Sequence, residues 1–143
     1  MFRTIIAGTD GSPRAEKAVR EAIDIAKSEG ARLHLVAAFS KRERHWEDLQ
    51  SSARVQVVDL RQVAEQVLAR EAKKAEEQGI EVDYSAREGD PADALLDAAE
   101  EEGADLIVLG NKGMHGAQRY MFGSTPNKVT HHAQCSVMVV RTD

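Results

Sequence analysis

The chain is poor in cysteine, in aromatic side chains and in long apolar runs, and each shortage removes a class of protein. Cys135 is its one cysteine, so no internal disulfide can form, which suits a reducing compartment. Aromatic residues make up 4% of the chain while hydrophobic residues make up 42%. A sizeable core must therefore be built from Val, Leu, Ile and Ala. No apolar run approaches the roughly 18 residues that cross a bilayer, and the opening MFRTIIAGTDGS has no long apolar segment of a secretory leader. Positive charge is short as well. A net charge of -5 argues against general nucleic-acid binding, which rests on basic patches. The expectation is a soluble, cytoplasmic protein that binds neither nucleic acid nor membrane. Its 143 residues are the usual size of one domain, and no linker, repeat or low-complexity segment divides 1–143.

What is present alternates in period. Thr4-Ile5-Ile6-Ala7 is a short apolar run stopped by Gly8, the pattern of a buried strand. Ser12-Pro13 is a helix start, with serine as the cap and proline in the first turn. Ala15, Ala18, Val19, Ala22, Ile23 and Ala26 follow at helical spacing up to Gly30. Leu33 to Phe39 reads as a second strand covered on both faces. Lys41 to Ser52 is polar, contains Trp46, and reads as a loop. The spacing then predicts a long helix from about Ala53 to Gln78, with Val57, Leu60, Ala64, Val67, Leu68 and Ala75 inward. Ile80, Val82, Tyr84 and Ala86 alternate with polar residues, as in a half-exposed edge strand. Asp90-Pro91 opens a third helix that closes at Gly103, and Leu106 to Leu109 is a fourth strand. Ser124 is expected to cap a short helix to about His132, and Ser136 to Arg141 is the fifth strand. Strands alternating with helices imply an α/β protein with a doubly wound parallel sheet and helices on both faces.

Ligands of such sheets bind beyond the carboxyl ends of the strands, where the strand order reverses. Two loops suit that place: Gly8-Thr9-Asp10-Gly11-Ser12 and GNKGMHGAQRYMFGST, Gly110 to Thr125. Glycine lets backbone N–H groups approach an anion, and a helix N-terminus adds unpaired donors. The second loop is neither GxxxxGK[ST] nor GxGxxG. The residues alone leave two readings of its glycines open: a phosphate cradle, or turns between strand and helix.

Gly110-x2-Gly113-x9-Gly123-Ser124 resembles the G-x2-G-x9-G-[ST] pattern of the universal stress protein family. TIIAGTDGS resembles that family's first strand and Asp-bearing loop, Gly89-Asp90-Pro91 its turn before the third helix, and VTHHAQCSVMVVR its last helix and strand. The resemblance covers essentially the whole chain. It implies five parallel strands in the order 3-2-1-4-5, an adenine nucleotide alpha hydrolase-like sheet, with the reversal between strands 1 and 4. It implies a homodimer joined through Val137 to Val140, an ATP ligand, and a regulatory role in stress response with a protein partner still to be named. Carried over, Gly110, Gly113, Gly123, Ser124 and Thr125 hold the phosphates. Gly8 and Thr9 line the floor, Asp10 lies near the ribose or a Mg2+ ion, Ala38 touches the adenine and Leu109 borders the pocket. Arg119 can reach a phosphate from within the loop. Pro126 departs from the pattern, standing where many members carry a hydroxyl, and leaves cyclic AMP as an alternative ligand.

Other readings of these residues are weaker. Asp10 also suits a plain turn. Adjacent helical residues point about 100° apart, so His131 and His132 do not make a metal pair. Cys135 reads as a small buried residue. The first loop has no HxGH, and no nucleophile–base arrangement can be read from the sequence. Slow ATP hydrolysis is the most that enzymatic activity could amount to. A nucleotide-free scaffold dimer is the remaining alternative.

Overall fold

The computed structural model describes residues 1–40, 59–112 and 124–143. Strand β1, Thr4–Gly8, is buried along its whole length. The Ser12 side chain then accepts a hydrogen bond from the Ala15 N–H at 3.1 Å, which satisfies one free donor of helix α1, Pro13–Glu29. Gly30 ends α1 with a left-handed φ of 68°, a conformation that side chains other than glycine's resist. Strand β2 is Arg32–Phe39. Helix α2 is Leu60–Glu77, and the Asp59 carboxylate caps it by accepting from Gln62 N–H at 3.2 Å. The residues before Asp59 in the expected long helix lie outside those described. Strand β3 is Val82–Glu88. Asp90 caps helix α3, Pro91–Glu102, by accepting from Asp93 N–H at 3.0 Å. Strand β4 is Leu106–Gly110, helix α4 is Ser124–His132, and strand β5 is Ser136–Val140.

Two local expectations shift. Ser124 is the first helical residue of α4 rather than the residue before it. Gly8 and Gly110 are the last residues of their strands, in register with Val36 and Val140, because the ladders run one residue further than the apolar runs.

The five strands lie in the order β3-β2-β1-β4-β5, with all four pairings parallel. Alternate residues of each central strand feed different cores. Ile5, Ala7, Leu33, Leu35, Leu106 and Val108 meet Val19, Ala22, Ile23 and Leu68 from α1 and α2. Ile6, Val36, Ile107 and Leu109 meet Leu95, Ala98 and Val129 from α3 and α4. The sheet is thus wound on both faces. β1 is followed by β2 on one side, while β4 lies on its other side, so the order reverses between β1 and β4. Sheets of this kind carry their ligand crevice beyond the ends of the two strands at such a reversal.

Candidate functional site

The floor of the crevice is built by the end of β1. Thr9 is fully buried. Its N–H donates to the Val36 carbonyl at 2.9 Å, and its Oγ1 accepts from the Gly11 N–H at 3.1 Å. Asp10 is exposed, and its Oδ1 accepts from the Ser12 N–H at 2.9 Å. The turn role of Asp10 is therefore present. One further bond to a carboxylate of this kind leaves acceptor capacity unused, since two ionised oxygens offer about four lone-pair sites. Gly11 has a φ of 82°, and a Cβ there would stand 2.8 Å from Val67 Cγ2. Helix α2 therefore packs directly on this turn, and Arg70 Nη2 donates to the Gly11 carbonyl at 3.4 Å.

The opposite wall begins with β4. Leu109 is buried in the α3 and α4 core. Gly110 is half-buried, and a Cβ there would meet Thr142 Cγ2 at 3.3 Å. The missing side chain at Gly110 thus makes room for the chain's own Thr142. Asn111 Oδ1 accepts from the Thr142 N–H at 2.9 Å and from its hydroxyl at 3.0 Å, and Lys17 Nζ donates to the Thr142 carbonyl at 3.2 Å. Lys112 Nζ is 3.2 Å from Asp143 Oδ2. Lys112, and then the Asn111 amide, hold the Asp143 carboxyl down to about 2. This anchoring was not visible in the sequence, where Asn111, Thr142 and Asp143 carry no pattern that joins them.

The remaining candidates divide. Ala38 is half-buried and packs on the α3 and α4 core. Ser124 is exposed at the start of α4, while Thr125 and Pro126 are buried beneath it. Gly113, Arg119 and Gly123 lie outside the described residues, as do Trp46 and His115. His131 and His132 are exposed, and His131 Nδ1 lies 2.8 Å from the Asn127 carbonyl, within its own helix. Cys135 is half-buried rather than buried; it lies just before β5, at the edge of the sheet. Burial, and then the Asp105 charge, push its thiol up.

A separate cleft of about 270 Å³ lies between α1 and α2, lined by Glu16, Val19, Arg20, Ile23, Glu71 and Lys74 among others. Within it Lys74 Nζ is 2.8 Å from Glu16 and 3.3 Å from Glu71, which is 1% exposed. No helix among the described residues is long and apolar enough to cross a membrane.

The architecture and the reversal crevice place this chain among doubly wound α/β proteins whose ligand sites lie at the strand ends. A family model described as the universal stress protein family matches residues 1–141, and the chain belongs to that family. It is 32% identical to universal stress protein Rv1636 of Mycobacterium tuberculosis, over 99% of this chain and 97% of that one. It is 30% identical to universal stress protein MJ0531 of Methanocaldococcus jannaschii, over 99% of this chain and 83% of that protein. Among solved structures, a universal stress protein in complex with cAMP matches with a TM-score of 0.76 at 26% identity, over 99% of this chain and 98% of the other.

Proposed function

We propose that this chain binds an adenine nucleotide in the crevice between β1 and β4, as ATP with Mg2+, and acts as a dimeric cytoplasmic regulator in stress response. One observation carries the reading: the strand order reverses between the two strands whose following loops hold Asp10 and the glycine pattern. The solved relative in complex with cAMP supports an adenine ligand.

The roles follow from chemistry and position. Gly8 and Thr9 form a floor without protruding side chains. Asp10 is an exposed carboxylate suited to a ribose hydroxyl or to Mg2+, a hard cation that takes oxygen ligands. Ser124 offers its hydroxyl and an N–H at the start of α4, where unpaired donors favour phosphate. Gly110, Gly113, Arg119, Gly123 and Thr125 complete the phosphate side on the sequence pattern, and Leu109 and Ala38 the adenine side. Cyclic AMP is the second reading. Pro126, with no hydroxyl and no N–H, subtracts a contact that an extended triphosphate would use.

Among the described residues the β5 edge has no strand beyond it, and Met138 on it is 36% exposed. An unpaired apolar edge invites pairing, and a second copy supplies the matching edge for a homodimer.

Calorimetric titration with ATP and with cyclic AMP, each with and without Mg2+, tests the ligand. Asp10→Asn keeps an acceptor for Ser12 and removes the charge. It is expected to weaken Mg2+-ATP about tenfold, or 1.4 kcal/mol, and to leave metal-free binding nearly unchanged. No binding of either nucleotide to the unaltered chain defeats the proposal.

A further inference from the structure

The face of β2 and β3 nearest the end of α3 gathers a second set of polar groups, outside the crevice. His34 is buried, at 5% side-chain exposure, and its Nδ1 lies 2.6 Å from Asp83 Oδ1. Its Nε2 lies 2.9 Å from Ser85 Oγ. Glu102, at the end of α3, completes a group in which one ligand atom from each of His34, Asp83 and Glu102 lies within 4.8 Å of the other two. We propose that His34, Asp83 and Glu102 form a binding site for a divalent transition-metal ion of the zinc type, separate from the nucleotide crevice.

The donor set is one imidazole nitrogen and two carboxylates, which suits zinc and its neighbours in the first transition row. These three come from three different elements, so the fold and not a local turn brings them together. His34 and Asp83 are paired residues in the parallel β2–β3 register, which places both side chains on one face. Ligand atoms at about 2.0–2.2 Å from zinc stand roughly 3.3 Å from one another in a tetrahedral site. The His34–Asp83 contact must open slightly and Glu102 must approach. Asp83 is 61% exposed, so a rotation of its side chain meets no core packing.

The surrounding bonds suit outer partners of a metal site. A ligating histidine commonly donates its other ring N–H to a neighbour, which fixes the tautomer. Ser85 Oγ is placed to accept from Nε2–H, leaving the Nδ1 lone pair for the ion. Arg87 Nε also donates to Ser85 Oγ, at 2.9 Å, and the Arg87 guanidinium is held by Glu101 at 2.9 and 3.1 Å. Arg32 Nη1 donates to Glu102 Oε1 at 2.9 Å and Nη2 to the Glu102 carbonyl at 3.0 Å. That pair orients the Glu102 carboxylate and leaves its second oxygen for the ion. Charge points the same way. Asp83, Asp97, Glu101 and Glu102 lie about Arg32 and Arg87, so carboxylates outnumber guanidinium groups until a cation enters.

The test is titration of the whole purified chain with Co2+, read by its visible ligand-field absorption, with Zn2+ as the competitor. One equivalent of Co2+ per chain should bind and be displaced by Zn2+. Asp83→Asn and Glu102→Gln, both outside the core, should each weaken binding at least tenfold, and Ser85→Ala about tenfold through the lost tautomer control. Glu21→Gln, at an exposed position of α1, should leave Co2+ affinity unchanged. The proposal is overturned if the unaltered chain binds no Co2+. It is equally overturned if Asp83→Asn and Glu102→Gln bind as tightly as the parent, or if affinity falls only in His131→Gln with His132→Gln.

Discussion

Asp105 shows how much one residue before a strand can organise. It precedes β4, and its carboxylate accepts from the Arg3 N–H at 2.9 and 3.1 Å and from the Thr4 N–H at 3.1 Å. Its own N–H donates to the Thr4 carbonyl at 3.0 Å. The start of β4 is thereby fastened to the start of β1, the pair whose other ends bound the crevice. Burial alone would raise this carboxyl, but the N–H groups of Arg3 and Thr4 outweigh it and hold it below the ordinary range. A depressed folded value means that the stabilisation is complete above the unfolded value of about 3.9 and is lost as pH falls through the lower folded value. Asp105→Ala should therefore cost about 1.5–3 kcal/mol near pH 7, the scale for hydrogen bonds to a charged group. Urea denaturation should show the gap between parent and variant closing below about pH 4. A gap that is constant from pH 7 to pH 3 would refute this account of Asp105.

Helices meet the site as whole elements, and α2 does so at Gly11. Its Val67 Cγ2 stands 2.8 Å from where a Cβ on Gly11 would lie. Because Val67 is stiff at χ1 and the φ of 82° is itself unfavourable to side chains, Gly11→Ala should lose about 1–3 kcal/mol. Val67→Ala should recover the steric part, so that the two changes together cost less than their sum in thermal unfolding. Strict additivity would show that the contact is absent. The helix caps were legible in the sequence because Ser12-Pro13, Asp90-Pro91, Gly30 and Gly103 each signal through chemistry within one turn. The role of Gly11 was not, because its neighbour Val67 is far away in the chain. The same holds for Glu71, whose burial the periodic pattern did not anticipate, and for His34, which meets Asp83 only through strand pairing.

At the scale of the whole molecule, the parallel sheet and its two-faced core were legible because apolar runs alternate with amphipathic helices, whereas the strand order was legible only through the family resemblance. The place of the crevice was legible from the two glycine loops at strand ends, and its position between β1 and β4 from the family's strand order. Its finer contents were less so: the space at Gly110 belongs to Thr142, a contact that only the folded chain creates. The proposed dimer is tested at the β5 edge. Met138→Asp should convert a dimer to a monomer in analytical ultracentrifugation, since a charge on an unpaired edge opposes strand pairing. A monomeric parent, or a variant that stays dimeric, would contradict the β5 interface. The central claim is that the crevice holds an adenine nucleotide. Mass spectrometry of the small molecules released on denaturing freshly purified protein tests it most directly, with Gly113→Ala combined with Gly123→Ala as the comparison. The account predicts an adenine nucleotide from the parent, ATP or cyclic AMP, and none from the double variant. No nucleotide from either, with no uptake when ATP or cyclic AMP is then supplied, would contradict it.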